Sequence, residues 1–377
     1  MNPRQKVAII YPFFAHYRAP VLRELMTNGA HDYYLLGDAT DPAGSIATID
    51  FKDEPRFIPT RTRQLRTSVM WQEGLLAAAW RGDYDCYIFL GNAAWPATWL
   101  AALSARLRGR RVLFWTHGWT RPDRGLKRTL RSVFYRLAHS LLLYGHYARD
   151  IGLRQGFAPA QLQVIYNSLD FELQRGLLNA ISDADRCNTR LRLFGSTDPV
   201  VIASARLTKT KRFDLLIGAL GIVNRTRRVN LLLVGDGPER EALAALAQRE
   251  HVNAVFEGAC YDEHRLAQLF SIANATVSPG NVGLTCMHSL AYGVPVITHD
   301  DPEEQMPEWE AITASATGTL FAKGSMESLA AAIEQWTRTS LVAPHTRRRC
   351  IESIRNKYHP AVQRRLIDSA VQPAQRR

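Results

Sequence analysis

The sequence predicts an α/β protein of two doubly wound, Rossmann-like parallel-sheet domains. Three observations predict it. The chain has 377 residues, more than a single hydrophobic core usually organises. Short apolar runs alternate with helical periodicity, as parallel strands joined by crossover helices require. The alternation weakens after about residue 171 and restarts at 200.

In the first half, strand-like runs fall at 7–11, 33–36, 87–90, 112–116, 141–144 and 164–166. Helical stretches lie at 18–26, 71–80, 95–107 and 126–138. Segment 38–64 is rich in Pro, Gly, Asp and Arg and reads as irregular loop or a short hairpin. The polar segment 173–197 reads as a linker with room for one helix. Strand-like runs then follow at 200–204, 231–235, 255–257, 276–278 and 294–298. Helices fall at 213–224, 239–249, 263–273, 283–292 and 325–336. The expected division is an N-terminal domain at 1–172, a linker at 173–197 and a second domain at 198–344. A C-terminal helix and tail at 345–377 have the option of crossing back to the first domain. Ligands in such sheets bind outside the carboxyl ends of the strands, so the chemistry belongs in the loops after them.

Composition narrows the class. With 46% apolar and 22% charged residues the chain can fill two cores. Its five cysteines are odd in number and scattered, with no CxxC pair, which argues against disulfides and structural zinc and for a reducing compartment. The start has no signal-peptide character, and no run approaches the ~18 apolar residues of a membrane-spanning helix. A cytoplasmic protein is expected. The formal charge of +12 suits nucleic acid, anionic lipid or phosphorylated small molecules. The basic clusters at 106–111 and 121–136 carry helical periodicity and no RNA or DNA module, so nucleic acid is not an expected partner. In the second cluster Arg121, Arg124, Lys127, Arg128, Arg131 and Arg136 interleave with Leu126, Leu130, Val133 and Phe134. That pattern fits an anionic membrane surface, or a surface helix with its apolar side on the core.

Three segments carry chemistry. From Ser204 to Arg212 a strand gives way to a basic loop and a helix start. Arg206 offers a planar fork and Lys211 a point charge in front of the helix dipole, which makes a diphosphate site or a solvated basic turn. In Gly235-Asp236-Gly237-Pro238 the glycines permit a tight turn and the proline starts a helix. Arg240 stands where a dinucleotide fingerprint needs its third glycine. From Ser278 to Val296, a Pro279-Gly280 loop leads into a helix starting near Gly283 and ending at Gly293. Asn281, Thr285 and His288 are among its polar groups. A helix histidine is equally at home packed in a core.

In this order and spacing the three segments resemble the C-terminal domain of the retaining GT-B glycosyltransferases of family four. The matches are Arg206 and Lys211, then 235–238, then Val282, Gly283 and Leu284 with Gly293, Pro295 and Val296. Pro307-Glu308 and the runs 317–320 and 329–333 resemble the family's tail. The first half is similar more loosely, through Thr116-His117-Gly118, through Asn167 to Asp170, and through His16-Tyr17-Arg18 with Pro20. Two departures stand out. Pro12-Phe13-Phe14-Ala15 replaces the glycine pair after the first strand. In the family's E-x7-E pair, Gly280 takes the place of the first glutamate and His288 of the second.

The resemblance implies two GT-B domains facing across a cleft. It implies transfer of a sugar from a nucleotide-diphosphate sugar to a glycan or lipid-linked acceptor, with retention and without metal or other cofactor. Surface polysaccharide or lipopolysaccharide assembly, at the inner face of the cell membrane, is the implied setting. It assigns catalysis to His117, Arg206 and Lys211. Donor binding falls to Arg206, Lys211, Gly235, Asn281, Val282, Gly283, Leu284, Thr285 and His288, with His288 on the ribose hydroxyls. His16, Tyr17, Arg18 and Glu308 become sugar or acceptor contacts. With no carboxylate at 280, the acidic loop 300–310 is either its substitute or a solvated charged loop. Asp83-Tyr84-Asp85 has the spacing of a metal-holding pair but precedes a strand and reads as a turn, and no His/Cys cluster has zinc spacing. The alternatives are a non-hydrolysing nucleotide-sugar epimerase of the same fold and a non-catalytic basic binding protein.

Overall fold

The computed structural model describes residues 3–44, 46–66 and 69–372. The chain divides into two compact units. One holds the chain up to Leu169 together with the segment from Pro360 onward, and the other runs from Asp170 to His359.

The first unit is built on a seven-stranded parallel sheet. Its strands are β1 (Lys6–Phe13), β2 (Asp32–Asp38), β3 (Phe57–Pro59), β6 (Cys86–Leu90), β7 (Arg111–Thr116), β8 (Ser140–Leu143) and β9 (Leu162–Val164). An antiparallel pair, β4 (Thr62–Arg66) and β5 (Val69–Gln72), lies apart from it. The spatial order is β3-β2-β1-β6-β7-β8-β9. Val7 to Ile10 are all buried, and they alternate between two cores. Ala8 and Ile10 face the helices Leu75–Arg81, Pro96–Leu107, Gly125–Arg136 and His146–Arg154. Val7 and Ile9 face the helices Ala19–Asn28 and Pro360–Val371. A strand apolar on both faces needs cover on both, which is why it reads as one continuous apolar run.

The second unit repeats the winding with β10 (Val200–Ser204), β11 (Asn230–Val234), β12 (Ala254–Gly258), β13 (Ala275–Ser278), β14 (Val296–His299) and β15 (Gly318–Phe321). The order β12-β11-β10-β13-β14-β15 is parallel throughout. In each unit the chain winds outward from its first strand in one direction and then returns to wind in the other. The switch falls between β1 and β6 in the first unit and between β10 and β13 in the second. Such switch points are where doubly wound sheets bind ligands.

Two expectations are corrected. Segment 173–197 is not a linker. The helices Phe171–Asn179 and Asp183–Phe194 occupy it, and both belong to the second unit. A Ser182–Asp185 capping box starts the second helix, and a buried arginine anchors it. Arg190 donates to the carbonyls of Ile272 and Thr197 (2.9 and 3.3 Å), to that of Ser340, and to Asn274 Oδ1 at 2.9 Å. The segment 345–377 is likewise not one element. Helix Pro344–Lys357 packs on helix Leu284–Ala291 of the second unit, whereas helix Pro360–Val371 completes the first. There Asp368 Oδ1 accepts from the Ala30 amide (3.1 Å) and the Tyr33 hydroxyl (2.7 Å). Among the described residues, no helix is long and apolar enough to cross a membrane.

Candidate functional site

At the switch point of the second unit, the loop after β10 (205–212) meets the loop after β13 (279–283). Their backbones touch. The Gly280 amide donates to the Lys211 carbonyl at 3.1 Å. A Cβ on Gly280 would sit 2.2 Å from the Thr210 carbonyl oxygen and 3.0 Å from Lys211 Cα. Glycine is therefore required by close approach, and no carboxylate fits at this position. The contact holds Lys211 so that its Nζ donates to Asn281 Oδ1 (2.6 Å) and to the Asn281 carbonyl (3.3 Å). Burial lowers the pKa of Lys211. Among the described residues it has no carboxylate within ion-pair distance, and the exposed Arg206 side chain makes no hydrogen bond or ion pair.

Gly235 acts from beneath. Its φ of +144° and a would-be Cβ 2.0 Å from the Ala205 carbonyl demand glycine, and Leu207 N donates to the Asp236 carbonyl at 2.9 Å. The 235–238 turn thus cradles the backbone that presents Arg206. It is a support for the loop, and its side of the contact is backbone.

Helix Leu284–Ala291 starts at Gly283 with no side-chain cap. Its first-turn amides and dipole give an anion site beside the two cations. Thr285 Oγ1 donates to the Ser204 carbonyl (2.7 Å) and ties this helix to the end of β10. Gln305 fixes the loop from the other side. Its Oε1 accepts from the Val282 amide (2.8 Å), and its Nε2 donates to Thr298 Oγ1 and the His299 carbonyl (both 2.9 Å). The structure therefore brings Arg206, Lys211, Asn281, Val282, Gly283, Leu284 and Thr285 together.

His288 stands one turn along the helix, where its Nδ1 pairs with Gln174 Nε2 at 2.9 Å and its ring stacks over Phe270. Glu308 is buried, close enough to Cys286 to raise the thiol's pKa after burial itself has done so. Two carboxylates of the acidic loop, Asp301 and Glu304, pair with Lys323 Nζ from outside it, each at 2.8 Å.

The switch point of the first unit opens into a cavity of about 650 Å³. Tyr17, Arg18 and His117 line it, with Tyr11, Trp95, Lys127 and Arg131. His16 is exposed, and its Nδ1 lies 3.1 Å from the Ala47 carbonyl. His117 follows β7 and leans on Tyr144, with ring centroids 4.8 Å apart. Desolvation at the cavity wall, and after it the Arg18 cation, push the imidazole down to about 4. The ring opens onto the cavity, where water softens both effects, and it is neutral at pH 7 either way. Among the described residues no three His, Cys, Asp or Glu side chains converge as a metal site.

Gln305, Gln174 and Tyr144 were not visible as site residues from the sequence. Tyr144 directly follows β8, so its place beyond a strand end was a usable signal. Gln174 sits outside every motif, and Gln305 lies in the acidic loop 300–310, where the carboxylates and not the amide drew the reading.

The fold and the two switch points define the class: a GT-B protein of two Rossmann-like units. Residues 190–357, all within the second unit, match the family model of glycosyl transferases group 1. Mannosylfructose-phosphate synthase of Agrobacterium fabrum (strain C58 / ATCC 33970) is 27% identical over 190 residues. That match covers 43% of this chain and 40% of the relative, so the chain spans less than half the length of that protein. Among solved structures, a glycosyltransferase from Rickettsia africae ESF-5 superposes with a TM-score of 0.75 at 14% identity, covering 98% of this chain and 99% of that one. Anabaena Alr3699/HepE in complex with UDP gives 0.71 at 16%, covering 97% and 99%. The lipopolysaccharide outer core galactosyltransferase WaaB in its apo form gives 0.69 at 14%, with the same coverage. At these identities the likeness is one of fold.

Proposed function

We propose that the chain transfers a sugar from a nucleotide-diphosphate sugar to a glycan or lipid-linked acceptor, with retention and without a metal, in surface polysaccharide or lipopolysaccharide assembly. One observation carries the reading. Two cations without carboxylate partners, Arg206 and Lys211, stand beside an uncapped helix N-terminus at the switch point of a group 1 domain. The UDP complex of the Anabaena protein supports a nucleoside-diphosphate donor. As the sugar leaves, charge grows on the diphosphate, and cations placed there stabilise the transition state over the ground state. His117, neutral at pH 7, is assigned to hydrogen bonding with the sugar. His288 is assigned to the ribose hydroxyls.

The test is a thermal-shift panel of UDP, GDP, ADP, dTDP and CMP with their sugars, followed by turnover with the stabilising donor. A charge-assisted hydrogen bond contributes roughly 1.5–3 kcal/mol, so Arg206→Ala and Lys211→Ala should each weaken donor binding or turnover by about tenfold or more. Arg206→Lys should fall short of wild type because an ammonium lacks the fork. Wild-type values in all three folded variants would refute the assignment. Product analysis with donor alone separates transfer from epimerisation.

The same reading places the acceptor at an anionic lipid surface. Phe134 and Tyr135 turn the helix Gly125–Arg136 onto the core, yet Leu126, Leu130 and Val133 are 89%, 58% and 51% exposed among Arg124, Lys127 and Arg128. On the same side of the sheet, helix Pro96–Leu107 exposes Leu100, Leu103 and Leu107. An apolar stripe with a basic border suits anionic lipid. Co-sedimentation with anionic liposomes at low salt should be lost in Leu126→Glu/Leu130→Glu. A wild-type protein that stays in the supernatant would remove the membrane from the proposal.

A further inference from the structure

Arg18 ends the short turn His16–Arg18 and forms part of the cavity wall in the first unit. Its guanidinium carbon lies 4.8 Å from the ring centre of Tyr11, 5.1 Å from Trp115, 5.8 Å from Tyr144 and 5.9 Å from Tyr17. Nη2 donates to the Tyr144 hydroxyl, while Nη1 is covered and has no hydrogen-bond partner among the described residues. No carboxylate pairs with it there. Aromatic faces hold a cation in place, but they do not neutralise it as an anion does. A guanidinium withdrawn from water without a counter-ion is costly to keep, and one that borders a cavity can be neutralised by what enters.

The rest of the wall agrees. Its other charged residues are Lys127 and Arg131, and among the described residues no acidic side chain lines it. A single buried carboxylate, Asp123, serves both of those cations, at 3.3 and 2.9 Å. Three cations thus face one carboxylate, and His117 adds no negative charge. Pro12, Met70, Leu90 and Trp95 supply the apolar remainder, which suits the face of a sugar ring.

We propose that this cavity binds an oxyanion carried by the acceptor, a phosphate ester or a carboxylate on its sugar, with Arg18 as the residue that selects for it. The inference rests on the sugar-transfer reading and names the acceptor's chemical class as acidic.

The test is calorimetric titration of the full chain with glucose 1-phosphate, glucuronate and glucose. It is done in the Arg206→Ala/Lys211→Ala background, so that the cations of the second unit contribute nothing. One or both anionic sugars should bind at least about tenfold tighter than glucose, and which one does so separates phosphate from carboxylate. Arg18→Gln should abolish that preference, and Arg18→Lys, which keeps the charge over the rings, should retain only part of it. Glucose binding as tightly as both anions overturns the proposal, as does a folded Arg18→Gln protein with undiminished preference. If Arg18→Gln does not fold, the wild-type contrast and Arg18→Lys decide. UDP affinity is measured in parallel in the chain with Arg206 and Lys211 intact. Nucleotide binding without an anion preference sinks this inference alone, whereas loss of nucleotide binding strikes the sugar-transfer reading.

Discussion

Putting a glutamate at position 280 should weaken donor binding or turnover instead of strengthening it. The motif that the sequence resembles has a glutamate at this register, so the substitution looks like a repair. The backbone forbids it, because any Cβ there meets the Thr210 carbonyl at 2.2 Å. The strand end at Ser278 cannot yield, buried as it is between β10 and β14, so the 210–211 backbone must move. That displaces Lys211 Nζ from Asn281 and misaligns it with the proposed diphosphate site. A misplacement of about 1 Å can cost a hundredfold, so Gly280→Glu and Gly280→Ala should both lose about a hundredfold in donor affinity or turnover. The alanine variant separates causes: equal losses indict the Cβ and not the charge. Titration with the donor nucleotide checks the result. Wild-type or improved affinity in Gly280→Glu would refute the close-packing account.

Replacing Arg190 with methionine should destabilise the second unit by about 3–5 kcal/mol, more than an average core substitution. Arg190 is 2% exposed, and its guanidinium is held by three backbone carbonyls and Asn274. Asn274 in turn accepts from the Val200 amide at 3.0 Å and donates to the Thr339 carbonyl at 2.8 Å. One arginine therefore joins a helix, the starts of β10 and β13, and the segment after helix Met326–Trp336. Methionine fills much of the volume but leaves those acceptors buried without a donor. Arg190→Lys should fall between the two, since an ammonium cannot span the same acceptors. Urea unfolding gives the answer, and a shift below about 1 kcal/mol would mean that water replaces the network.

Arg190 also shows where sequence reading reached its limit. The alternation of apolar runs located most strands of both sheets, because a parallel strand covered on both faces has no choice but to be continuously apolar. The helices at 171–194 escaped. Asp183–Phe194 is polar, with only Arg190 and Phe194 buried, and a charged residue at a core position looks like surface. Strand β3 escaped for a different reason: three residues at a sheet edge, ending in proline, are too short to show a period. In the candidate site, Arg206 and Lys211 stood out in the sequence as cations of a strand-to-helix loop, and that loop lies at the switch point of the second sheet. The reason for Gly280 was not, because close approach of Lys211's backbone is set by two loops 70 residues apart. The helix at 125–136 could be read as core-facing or as lipid-facing, and the structure divides it, with Phe134 and Tyr135 buried and Leu126 and Leu130 exposed.

Helix Pro360–Val371 seals one face of the first sheet, with Ile367, Ala370 and Val371 set against Val7, Ile9 and Leu25. That helix is encoded only after the whole of the second unit. On the ribosome, the strands made first must wait with that face uncovered while everything from Asp170 to His359 is translated. Domains ordinarily mature in the order of their synthesis. Here the earlier one is finished last, so for most of its production the nascent chain carries an apolar surface that a chaperone has reason to shield.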